Sequence, residues 1–113
     1  MSTRRILCVH EGPELQQLTK TLGLDGYEVL NAPDGTKALD LLSSEKIDGV
    51  ILGYDLTAPG GYMLRSRIQH ERPGMPMLLF DDIKELGDTE IGVFRACVDN
   101  DPEAAFSFAA SYN

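Results

Sequence analysis

Cysteine is scarce: two in 113 residues cannot build a disulfide framework. Cys8 and Cys97 both fall within short apolar runs, the setting of reduced thiols in a core. No Cys or His spacing suits a zinc site. Long apolar runs are missing too. The longest, residues 49–52 and 75–80, fall far short of the roughly 20 residues that a membrane span needs. The basic start, Met1-Ser-Thr-Arg-Arg5, is followed by an apolar stretch (6–9) too short for a signal peptide, so a cytoplasmic location without membrane contact is expected. Positive charge is in short supply: 10 Lys and Arg stand against 18 Asp and Glu, a formal charge of −8. Phosphate repulsion therefore opposes direct binding of nucleic acid.

What is present is ordinary for a folded chain: 42% apolar and 25% charged residues, without repeats, linkers or low-complexity tracts, which predicts one domain over residues 1–113. Short β-like runs alternate with helix-like segments. Residues 5–9 form a compact apolar run and read as a buried strand. Pro13 opens a helix whose Leu15, Leu18 and Leu22 recur at helical spacing, ending at Gly23 or Gly26. Residues 27–30 are a second strand. Pro33-Asp-Gly-Thr36 leads into a second helix with Ala38, Leu41 and Leu42 as its buried stripe. Residues 47–52 are nearly all apolar, as in a central strand covered on both faces. Residues 54–61 form a loop, 62–69 a helix with Leu64 and Ile68 inward, and 77–80 a fourth strand. Residues 82–90 read as a short acidic helix or turn, 93–98 as a fifth strand, and a last helix starts at Asp101-Pro102.

Alternating strands and helices imply a parallel sheet with helices on both faces and right-handed crossovers. In such sheets function concentrates beyond the carboxyl ends of the strands. That directs attention to His10, Glu11 and Gly12, to residues 53–55, to Asp81 and Asp82, and to Asp99 and Asn100.

Over residues 4–110 this arrangement resembles the receiver domain of two-component response regulators. The resemblance is carried by Ile6-Leu-Cys-Val-His-Glu-Gly-Pro13-Glu14-Leu15, by Gly26-Tyr27-Glu28-Val29, and by Ala32-Pro-Asp-Gly35 with Ala38-Leu39. Asp48-Gly-Val-Ile-Leu52 with the Pro-Gly loop to Gly61, and Met75-Pro76-Met-Leu-Leu, complete it. It implies a flavodoxin-like three-layer α/β/α sandwich with a five-stranded parallel sheet in the order 2-1-3-4-5. A working receiver carries a phosphoaccepting aspartate after strand three and an acidic pair after strand one that helps to hold Mg²⁺. It also carries Thr or Ser after strand four and Lys after strand five.

On this sequence the resemblance puts Gly53 at the acceptor position, His10 and Glu11 at the acidic pair, Asp81 at the Thr/Ser position and Asp99 at the Lys position. The aromatic reporter on strand five becomes Ala96, with Phe94 two residues earlier. Glycine cannot be phosphorylated, and an imidazole is a poor ligand for a hard cation. Glu11, Asp81, Asp82 and Asp99 around one crevice would repel a phosphoryl group. The expectation is a degenerate receiver, a pseudo-receiver, with no cofactor and no catalytic residues.

The bland reading is a solvated loop acid for Asp55, a hydrogen-bonded strand-end histidine for His10 and a helix C-terminal residue for His70. Arg65, Arg67 and Arg72 read as a solvated face. Three function classes follow. The first is an interaction module that signals through protein partners: a histidine kinase, an output domain or a second copy of itself. The second is a phosphoaccepting receiver with Asp55 as displaced acceptor and a divalent metal such as Mg²⁺ on Glu11 and Asp55. The third is a small enzyme, for which no nucleophile–base pair and no phosphate-cradling glycine motif is visible. The first is the reading adopted, for a stand-alone regulator or a piece of a larger regulator or hybrid kinase.

Overall fold

The computed structural model describes residues 3–10, 16–53, 61–80 and 87–99. They form β1 (Arg5–Val9), α1 (Gln16–Leu24), β2 (Glu28–Ala32), α2 (Gly35–Ser44), β3 (Gly49–Gly53), α3 (Gly61–Glu71), β4 (Met77–Phe80) and α4 (Asp88–Val98). The four strands make one parallel sheet in the order β2-β1-β3-β4. From Ile6 to Val9 and from Gly49 to Gly53 the two central strands are buried throughout. They form because these runs have no polar face to give to solvent.

Successive side chains point to opposite sides of a strand, which builds two cores. On one face Leu7, Val9, Val50 and Leu52 pack under Ala38 and Leu42 of α2 and Leu64 and Ile68 of α3. On the other, Ile6, Cys8, Ile51 and Phe80 pack under Leu22 of α1 and Phe94 and Val98 of α4. Local chemistry sets the ends. The Asp34 carboxylate accepts the Lys37 N–H at 2.8 Å and caps α2, as short acidic side chains do at a helix start. At the strands' starting end, the Asp48 carboxylate accepts the Arg5 N–H at 2.8 Å, and the Arg5 guanidinium bridges Glu28 (3.0 Å) and Glu45 (2.9 Å). Arg72, expected on a solvated face, donates through Nη2 to the Leu42 carbonyl and ties the end of α3 to α2. Among the described residues no helix is long and apolar enough to cross a membrane.

The strand order agrees with the expected one over β1 to β4. The fifth strand does not: residues 93–98 are the second half of α4. Ile91, Phe94 and Val98 recur at helical spacing, and Phe94 and Val98 bury against the sheet while Cys97 between them is exposed. Cys97 is thus a surface thiol, not a core one, and the reporter role expected of Ala96 and Phe94 has no strand to act from. Gly49 is what lets α4 lie so close. A Cβ built at Gly49 would stand 2.5 Å from Val98 Cγ2 and 2.9 Å from Phe94 Cζ. The last helix, expected from Asp101, lies outside the described residues.

Candidate functional site

Three described residues mark the carboxyl ends of the strands. His10 follows β1 and donates its backbone N–H to the Ala32 carbonyl at 3.0 Å, which holds it beside the end of β2. Gly53 ends β3 and lies opposite Phe80, the last residue of β4. The rings of His10 and Phe80 approach each other over Gly53, with centroids 5.4 Å apart and planes tilted by 44°. A Cβ built on Gly53 would lie 2.9 Å from His10 Cδ2 and 3.3 Å from Phe80 Cζ. The space where a side chain at position 53 would begin is therefore filled by two rings. Phe80 was not singled out by sequence. Its signal was its place as the last apolar residue of β4, opposite a glycine.

Beside this triad a polar cleft of about 420 Å³ opens between the ends of β1 and β2, lined by His10, Gln16, Thr19, Lys20, Asn31 and Pro33 among others. Beneath His10, on the same side of β1, Cys8 is fully buried. Burial pushes its thiol up to about 11, with the Thr19 hydroxyl pulling the other way. A thiol so protonated is inert toward oxidation and exchange at neutral pH.

The candidate metal ligands Glu11 and Asp55, and the acids Asp81 and Asp82, lie outside the described residues. Among the described residues no three His, Cys, Asp or Glu side chains converge on a point. The described part of the crevice offers an imidazole where a hard cation such as Mg²⁺ wants carboxylate oxygen, so it does not fit that ion.

No protein-family model matches the sequence, and no match is found among curated proteins. Solved structures do match. The signal receiver domain of an HD domain-containing protein from Pseudomonas fluorescens Pf-5 is 29% identical, with a TM-score of 0.66 over 90% of this chain and 78% of that one. The complex of histidine kinase ThkA with response regulator TrrA contains a chain 28% identical, with a TM-score of 0.62 over 68% of this chain and 67% of that one. A response regulator receiver domain protein from Clostridium thermocellum is 20% identical and shares the fold, with a TM-score of 0.70 over 92% of this chain and 95% of that one. The chain has the fold of response-regulator receiver domains and is similar in sequence to receivers of two-component systems.

The receiver's sheet brings His10 and Gly53 together as expected, and removes Asp99 from the site. Asp99 caps α4, its N–H donating to the Arg95 carbonyl at 2.9 Å. Its carboxylate accepts the Tyr27 hydroxyl at 2.8 Å. Tyr27 precedes β2, whose first residue, Glu28, hydrogen-bonds Arg4. Asp99 therefore lies at the opposite end of the strands from Gly53. The expected charge inversion at the Lys position fails for this residue because the segment before it is a helix, not a strand. Asp99 instead joins a cluster that sequence reading missed. Arg95 pairs with Asp25 at 3.0 Å, donates from Nε to the Tyr27 oxygen at 3.4 Å and lies 5.3 Å from the Tyr27 ring centre. Burial raises the Tyr27 phenol, the Arg95 contact opposing.

Proposed function

We propose that this receiver signals without aspartyl phosphorylation, by contact with a protein partner. One observation carries the reading. Gly53, to which the resemblance assigns the phosphoacceptor, has neither a carboxylate nor room for one, because His10 and Phe80 occupy the place where its side chain would start. Phosphoryl transfer to an aspartate needs an unencumbered carboxylate within attacking distance of the donor. Replacing one acid of the usual pair by an imidazole supports the same reading, since it weakens the hold on the cation that transfer requires. The domain itself is assigned no chemical step.

The partner class comes from the same relatives. TrrA is seen bound to the histidine kinase ThkA, and a receiver that has lost the acceptor can retain a surface of that kind. A histidine kinase, an output domain and a second receiver are the candidates for this chain.

The test is the intact mass of the purified protein after incubation with Mg²⁺ and acetyl phosphate, beside a working receiver treated in parallel. No adduct is expected here while the control is labelled. A single phosphoryl adduct would overturn the reading, and peptide mapping would then show whether Asp55 or another acid accepts the group.

A further inference from the structure

The polar cleft beside His10 is built by two elements. Gln16, Thr19 and Lys20 stand at i, i+3 and i+4 on α1, which makes them one stripe, and this stripe lines the helix side. Asn31 lines the sheet side. It pairs in register with Cys8, so its side chain lies on the α1 face. β2 is an outer strand of the sheet, and Asn31 is exposed. Ala32 and Pro33 add apolar surface at the end of β2. We propose that this cleft binds a phosphate monoester, a small organic molecule carrying one phosphate group, and holds it without covalent transfer.

Charge, donor placement and size point to this ligand. The chain has 18 acids against 10 bases, yet among the described residues that line the cleft none is acidic. Lys20 is exposed and has no ion pair among the described residues, so its ammonium is open to an incoming anion. Gln16 and Asn31 add amide N–H donors. Donors held on a helix and on a strand suit a tetrahedral phosphate, which accepts from several directions, better than a planar carboxylate. The Thr19 hydroxyl is buried beside Lys20 and, apart from the weakly bonding Cys8 thiol, has no hydrogen-bond partner. An acceptor brought into the cleft would improve its position. The volume of about 420 Å³ exceeds what a bare phosphate ion fills and leaves room for an organic body against Ala32 and Pro33. The cleft lies on the β2 side of β1 and Gly53 on the β3 side, so this site is separate from the acceptor position.

The test is a titration of the isotope-labelled full chain with phenyl phosphate and, separately, with inorganic phosphate. It is followed by proton–nitrogen NMR in EDTA at constant ionic strength, with sodium chloride as the control. Both phosphates should give saturable shifts at Lys20, at Asn31 and at the Gln16 side-chain amide, with phenyl phosphate the tighter. Lys20→Met should weaken both by about tenfold, the usual effect of losing a charge-assisted hydrogen bond. Lys46→Met removes an exposed charge just before β3, at the starting end of the strands, and should change neither. The spectra themselves show that each variant is folded. Failure to saturate, shifts centred elsewhere, the same shifts with chloride, or equal affinities for wild type and Lys20→Met would each overturn the proposal. Equal affinity for the two phosphates would leave an ion site only and overturn the monoester. The titration reads non-covalent binding with metal chelated, whereas the acetyl phosphate experiment reads a covalent adduct formed with Mg²⁺, so the two readings fail separately.

Discussion

The imidazole of His10 stands where a side chain on Gly53 would begin, its Cδ2 lying 2.9 Å from a Cβ built there. The two residues are complementary. Each departs from what a phosphoaccepting receiver would carry at its place, and the bulk gained at one fills the space left by the other. A glycine alone would leave a hole at the end of β3; here the His10 and Phe80 rings close it.

Gly53→Ala should therefore cost stability although alanine adds one carbon to a strand, because the Cβ meets the His10 ring. A loss of about 1–2 kcal/mol is expected, the usual size of overpacking in a tight site. In a double-mutant cycle, His10→Ala should recover much of that loss, and denaturant midpoints measure it. Additive effects of the two substitutions would show that the ring moves aside without cost.

Gly49 poses the same question at the other end of β3, with a different neighbour. Gly49→Ala presses on Val98 and Phe94 at 2.5 and 2.9 Å, and both are anchored in the core. The expected loss is about 2–3 kcal/mol, larger than at Gly53. Phe94→Leu should restore part of it. Thermal melting of the single and double variants, followed by far-UV circular dichroism, checks the order.

Much of the fold was legible because its central strands leave little choice. Residues 5–9 and 77–80 are strands with the boundaries expected of them, since a short, mostly apolar run between turn signals has few other homes. The capped start of α2 at Asp34 was readable from Pro33-Asp-Gly-Thr36. Residues 93–98 were misread because Phe94, Ala96 and Val98 alternate like a strand, while Ile91, Phe94 and Val98 recur like a helix. A run this short does not choose between the two periods. The choice is made by a long-range contact, the missing Cβ of Gly49, which no local pattern contains. Asp99 followed that error to the wrong end of the sheet. The topological rule for strand ends found His10 and Gly53. The tilted approach of the two rings over the glycine is a contact between distant strands that no local pattern contains.

Tyr27 joins α4 to the turn before β2 through one hydroxyl that donates to Asp99 at 2.8 Å and accepts from Arg95 at 3.4 Å. Tyr27→Phe keeps the buried ring and its contact with the guanidinium but removes both hydrogen bonds. The expected cost is about 1 kcal/mol, the net worth of one good hydrogen bond between part-buried groups. Amide exchange should show it most clearly at the C-terminal turn of α4, with little change in β1 or β3. A uniform loss of protection across the sheet would mean that the hydroxyl supports the global fold and not this corner.

Cys8 makes the stability of the domain sensitive to alkaline pH, in a direction that its environment fixes. Burial raises the thiol from 9.0 to about 11, so the folded state holds its proton after the unfolded state has lost it. Between those values the unfolded chain binds fewer protons, and stability falls as pH rises. Full passage through that window costs about 2–3 kcal/mol for a shift of this size. Below about pH 8 the thiol is neutral in both states and contributes almost no slope. The Tyr27 phenol, also raised by burial, adds a loss of the same sign at higher pH. Cys8→Ala removes the titrating group at the cost of one buried sulfur atom. Its unfolding free energy should therefore decline less steeply than wild type between pH 9 and 11, with the two slopes parallel from pH 7 to 8. Denaturant titrations across that range measure both. Identical slopes up to pH 11 would mean that water reaches the thiol in the folded state.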